Sequence, residues 1–105
     1  MRNSITLEVR AGKAPRVLKT DDKNEPVFGD VWAIHNIENS QASFALAVKF
    51  GEAVIPAFKE IALGSKFTVT GRLDIHKDES TGIFHTSILA DRVEDIVASR
   101  KQTQP

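Results

Sequence analysis

Residues 43–76 read SFALAVKFGEAVIPAFKEIALGSKFTVTGRLDIH, and the change of period inside this stretch decides the fold. Ser43–Phe50 alternates, with Phe44, Leu46, Val48 and Phe50 on one side and Ala45, Ala47 and Lys49 on the other. A period of two is that of a strand. In Glu52–Leu63 the apolar residues Val54, Ile55, Phe58, Ile61 and Ala62 fall instead at helical spacing. Pro56 is tolerated only in a first turn, which starts the predicted helix near Ile55, and Gly64 is a natural C-cap. Lys66–His76 then alternates again, with Phe67, Val69, Leu73 and Ile75 on one face and Gly71 among them, where it lets the strand coil.

Working outward, Ile5, Leu7 and Val9 alternate with Thr6, Glu8 and Arg10 to give a first strand. Gly12 and Pro15 predict a bend in it before Val17 and Leu18. Thr20–Pro26 is a polar loop, Val27–Ile34 (VFGDVWAI) a second strand, and His35–Ala42 another loop. After Lys66–His76, Lys77–Gly82 forms a hairpin tip and Ile83–Ile96 a fifth strand. The order is β-β-β-α-β-β. Five short, bent strands with one helix between the third and fourth predict an all-β fold, the five-stranded Greek-key OB barrel. Closing the barrel hides sheet edges that a chain of 105 residues could not otherwise cover. One domain is expected over residues 1–97, with a short polar tail at 98–105.

Composition narrows function by exclusion. The chain has no cysteine, hence no thiolate nucleophile, disulfide or Cys-based zinc site. His35, His76 and His85 are too widely spaced for a metal-ligand motif, and no metal or other cofactor is expected. No phosphate-binding glycine loop or Gly-x-Ser-x-Gly elbow is present. Asp74, Asp78 and Glu79 read as solvated turn residues, so an enzyme is not expected. The longest apolar run falls far short of the roughly eighteen residues that span a bilayer. With no signal-like start, the expected setting is cytoplasmic, away from membranes. Net charge is zero, 14 basic against 14 acidic residues, which argues against nucleic acid until the charges are placed. Arg2, Arg10, Lys13, Arg16 and Lys19 face only Glu8 in residues 2–19, whereas residues 26–63 are net acidic. A basic N-terminal arm therefore sits on a neutral protein.

Several elements, in order, resemble the bacterial single-stranded DNA-binding protein (SSB) family. They are Phe50-Gly51, Glu52-Ala53, Leu63-Gly64-Ser65, Val69, Gly71, Leu73 and Ala90-Asp91-Arg92-Val93. The N-terminal half is similar more loosely, through Gly12 to Arg16 and Val31–Ile34. Primosomal replication protein N is a thinner resemblance, resting on the Gly-Ser-x-x-x-Val-x-Gly strand and His76-Lys77. The SSB resemblance implies non-catalytic binding and protection of single-stranded DNA in replication, repair or recombination, by a homo-oligomer (tetramer or dimer). The primosomal resemblance implies a module acting mainly through protein contacts in replication restart. Family members usually continue into a tail with an acidic, Phe-terminated tip. Here the sequence runs out in Arg100-Lys101-Gln102-Thr103-Gln104-Pro105, and tail-mediated recruitment of repair enzymes is not expected.

Binding a single strand without sequence preference needs cations that follow phosphates and flat rings on which bases stack. With seven aromatics and no tyrosine, each ring counts. Phe44 and Phe50 match positions where the family places stacking aromatics; the competing reading is a core stripe with Leu46 and Val48. Trp32 is either a stacking platform or a core residue. Phe84 flanks the hairpin and can stack, Phe28 is a weaker candidate, and Phe58 and Phe67 read as core. Arg10, Lys13, Arg16, Lys49, Arg72 and Lys77 are the candidate phosphate contacts. His76, set to face His85 across the hairpin, is a candidate for stacking or a phosphate contact, the competing reading being an exposed polar pair.

Overall fold

The computed structural model describes residues 3–37 and 41–98. Among them are six strands: β1 (Ile5–Ala11), β2 (Arg16–Thr20), β3 (Pro26–Asn36), β4 (Ser43–Phe50), β5 (Lys66–Lys77) and β6 (Phe84–Val97). The sixth arises because the bent first strand is divided. Gly12 and Pro15 interrupt the ladder, and the Gly12 N–H turns to the carbonyl of Trp32. Arg2 and the tail from residue 99 onward lie outside the described residues.

One sheet runs in the order β1-β5-β6-β4-β3-β2. All neighbours are antiparallel except β4 and β6, which are parallel from Ala47↔Ser87 to Phe50↔Ala90. A parallel pair needs a long connection, supplied here by the helical segment and β5. The sheet closes into a ring because β1 also pairs with β3, through Arg10↔Ile34 and Ala11↔Ala33. This mostly-β ring with one short helix is consistent with the predicted OB fold.

Strand alternation fills the ring. Val9, Val31, Leu46, Val48, Phe67, Val69 and Ile88 are all at most 2% exposed. Phe50 packs among them, its ring centroid 5.3 Å from that of Phe58 and 6.2 Å from that of Phe67. The helical segment buries the side chains its spacing indicates, Val54, Ile55, Phe58 and Ile61. It is much shorter than the predicted Glu52–Leu63: a 3₁₀ turn at Glu52–Val54 leads into α1, Ile55–Phe58. The competitor is Ser65, which is buried. Its Oγ accepts the Ala62 N–H while its own N–H donates to the Ala62 carbonyl, closing a turn that removes Ala62 from any helix. Ala62 is accordingly exposed, and Gly64, at φ 86°, serves this turn rather than capping α1.

Gly71 marks a bulge between β5 and β6. Thr70 pairs with Arg92 but Gly71 with Ala90, so Asp91 is the extra residue. A Cβ at position 71 would collide with the carbonyl oxygen of Leu89. Past the ring, Asp74–Lys77 and Phe84–Ser87 continue as a hairpin arm. Ile75, Ile83 and Phe84 on this arm are more than half exposed.

Candidate nucleic-acid interface

On the outer side of the ring, β3, β4, β6 and β5 lie side by side and their registers set residues in rows. One row is Trp32, Ala47, Ser87, Asp74; the next is Asp30, Lys49, Leu89, Arg72. Beyond the first row, His76 pairs directly with His85 and Lys77 with Phe84. The middle of this surface carries only small side chains, Ala45, Ala47 and Ser87. Larger ones stand at its margins: Trp32, 44% exposed, on one side, and Phe84, 64% exposed, with the two histidines on the other. The result is a trough of about 640 Å³ with Lys49 at its edge.

Two smaller hollows extend it. One, of about 300 Å³, shares Trp32 and Ala47 and adds Lys13, Arg16 and Asp30. The other, of about 350 Å³, shares Lys49, Asp74 and Ser87 and adds Arg72. The structure thus brings together Lys13, Arg16, Trp32, Lys49, Arg72, His76 and Phe84 on one continuous tract. Lys77 pairs with Phe84 on the hairpin arm, its ammonium 5.9 Å from the centre of that ring, a cation–π contact.

Four candidates fall elsewhere. Phe50 is fully buried and leaves the set of stacking residues: its ring faces Phe58 and Phe67, and no base can reach it in this fold. Phe44 is 44% exposed but pairs with His35 on the sheet face opposite Trp32, ring centroids 5.2 Å apart. His35 is held by a 2.8 Å hydrogen bond between its Nδ1 and the Glu8 carbonyl. Arg10 lines a separate hollow with Glu8, His35 and Lys66 that shares no residue with the trough. Phe28 is half-buried, beside Lys19 and Gly51.

Arg16 is not a free cation. Its Nε donates to Oδ1 of Asp30 at 3.0 Å and its Nη2 to Oδ2 at 2.8 Å, a bidentate pair that raises the guanidinium pKa above its ordinary value. Asp30 itself is 8% exposed. Sequence reasoning missed Asp30; the signal was a carboxylate in the otherwise apolar VFGDVWAI. It also took Asp74 for a turn residue, whereas Asp74 is in β5 and lines the trough. At the hairpin tip, Asp78 accepts hydrogen bonds from the Ser80 hydroxyl and N–H at 2.8 and 2.9 Å, which lower its carboxyl pKa. His85 Nε2 lies 3.8 Å from the same carboxylate. Among the described residues, no three His, Cys, Asp or Glu side chains are grouped so as to hold a metal ion. No helix there is long and apolar enough to cross a membrane.

No family model matches the chain, and no curated protein matches it by sequence. Solved structures do match. The SSB domain of a Synechococcus protein superposes with a TM-score of 0.63 at 22% identity, covering 90% of this chain and 97% of that one. The Plasmodium falciparum SSB in complex with single-stranded DNA gives 0.67 at 15% identity, covering 92% and 94%. A small single-stranded DNA-binding protein from Mycoplasma pneumoniae gives 0.57 at 12% identity, covering 90% and 94%. At these identities the likeness is one of fold, and it extends over nearly the whole of each partner.

Proposed function

We propose that this chain is a non-catalytic single-stranded DNA-binding protein of the SSB kind. The observation that carries the reading is the trough itself: Trp32 and Phe84, both exposed, flank a floor of Ala47 and Ser87 with Lys49 at its margin. Small residues let a base approach the sheet, and the two rings offer π-faces at either side. Each base–aromatic stack contributes about 1–3 kcal/mol. Lys13, Lys49, Arg72 and Lys77 supply cations for the backbone, so affinity falls as salt rises. The structures of similar fold, one of them holding single-stranded DNA, support the same reading.

In this reading the protein coats and protects exposed strands during replication, repair or recombination in the cytoplasm. It works as a homo-oligomer, which multiplies the few cations of a chain with zero net charge. The experiment is a titration of the full chain into fluorescent oligo-dT at several salt concentrations, following Trp32 fluorescence, with solution mass from light scattering. Micromolar or tighter binding at low salt, weakening with salt and quenching Trp32, is the expected result. Absence of binding at low salt refutes the reading.

A further inference from the structure

We propose that the hollow beside Trp32 reads the identity of one base, with Arg16 as the specificity-determining residue and Asp30 as the residue that positions it. The inference rests on the single-strand reading above and adds base preference to it.

A guanidinium has five N–H donors in a rigid plane. Asp30 engages the side of that plane through Nε and Nη2. Left over is the end of the fork, where one N–H of Nη1 and the second N–H of Nη2 run parallel. Asp30 is almost buried, whereas the Arg16 side chain is 70% exposed, so the anchor is fixed and the free end is accessible. The hollow they share with Trp32 and Lys13 has a volume of about 300 Å³, at the small end for ligand pockets. A ring stacked on Trp32 there has its edge beside Arg16.

Charge argues for a base edge rather than a phosphate as the partner of Arg16. The carboxylate already compensates the guanidinium, so the pair contributes little to phosphate attraction, but the direction of its N–H groups is untouched. Lys13, on the same hollow and in no ion pair among the described residues, is left for the backbone phosphate. Two parallel donors need two adjacent acceptors. Guanine has them at O6 and N7. An unpaired cytosine has them at O2 and N3, on the edge that a single strand leaves open. Adenine and thymine alternate donor and acceptor along every free edge. The hollow therefore favours guanine or cytosine over adenine or thymine.

The test is fluorescence anisotropy of the full chain with oligo-dT, oligo-dC and oligo-dT carrying isolated dG, all of one length. The strands with cytosine or guanine are expected to bind roughly tenfold tighter than oligo-dT, the low end for a bidentate base contact. Arg16→Lys, which cannot form the fork, brings oligo-dC down to the level of oligo-dT. Asp30→Asn frees the guanidinium: preference shrinks while oligo-dT binds more tightly, with a salt slope steeper by roughly one. A merely structural Asp30 would not shift that slope. Circular dichroism confirms that each variant is folded. Equal affinity for all strands, or a preference that survives in Arg16→Lys, overturns the inference alone. A chain that binds no strand overturns the single-strand reading, and this inference with it.

Discussion

Replacing Phe50 by alanine separates two roles that the sequence leaves open for this ring. Phe50 is fully buried and touches the rings of Phe58 and Phe67. Truncating a buried phenylalanine to alanine costs about 3–5 kcal/mol, rising with the cavity that remains. The neighbours here are rings on β5 and α1 and cannot collapse into the gap without moving the strands, so a cost near 4 kcal/mol is expected, about a quarter to most of the stability of a typical domain (~5–15 kcal/mol). With a urea dependence of about 2 kcal/mol per molar, the unfolding midpoint falls by roughly 2 M. Circular dichroism during urea titration reads it directly. Phe50→Leu keeps most of the volume, loses about 1–2 kcal/mol, and stays folded without denaturant. Its affinity for oligo-dT is expected to equal that of the unaltered chain. An unchanged urea midpoint for Phe50→Ala refutes the packing assignment. So does a folded Phe50→Leu protein that loses about fivefold or more in affinity, the least that a lost stack would cost.

Other perturbations separate the surfaces. Trp32→Ala weakens oligo-dT binding at least about fivefold, whereas Phe44→Ala, on the other sheet face, has a smaller effect; equal losses in anisotropy titrations would refute this division. Lys49→Ala lowers the salt slope of binding by roughly one, measured as log affinity against log salt. Gly71→Ala drives a methyl into the Leu89 carbonyl and destabilises by about 1–3 kcal/mol, seen as a lower thermal midpoint. The Asp78 carboxyl is depressed by its bonds from Ser80. Its contribution to the hairpin tip is therefore complete above the unfolded carboxylate pKa (about 3.9) and is lost as pH falls through the lower folded value. Amide shifts of Ser80 followed by NMR should titrate below the ordinary carboxylate range, and a midpoint at or above it refutes the assignment.

The elements most legible in the sequence are those whose signal is periodic. Ser43–Phe50 and Lys66–His76 announce themselves by strict alternation, and the structure extends the second strand by a single residue, to Lys77. The helix was legible as a buried face and not as a length, because the Ser65 turn competes for the Ala62 amide and no period records that. In the candidate site, Trp32 and Lys49 alternate against the core stripe, and His76 pairs with His85 because the hairpin loop is 78–83, one residue beyond the expected tip at 77–82. The misplaced rings have one cause. Phe44, Leu46, Val48 and Phe50 share a strand face, and position along that face decides exposure: Phe50 meets α1 and β5, whereas Phe44 lies toward the end that meets His35. The Arg16–Asp30 pair joins residues on two strands: the lone carboxylate in VFGDVWAI marks Asp30, but nothing within either strand names its partner.

The closure of the ring bears on how quickly the chain can fold. β1 finds its main partner in β5, and the hydroxyls of Thr6 and Thr70 meet across 64 residues of sequence. Loop-closure entropy must be overcome before such distant pairings stabilise anything, which places this topology among slow folders, in the millisecond-to-second range. During synthesis at about 5–20 residues per second, β1 waits several seconds before β5 exists. Through that interval Ile5, Leu7 and Val9 form half of an unfinished strand pair. The nascent N-terminal half is thus the stage at which this small protein is most exposed to wrong partners, and a chaperone or a second nascent copy would meet it there.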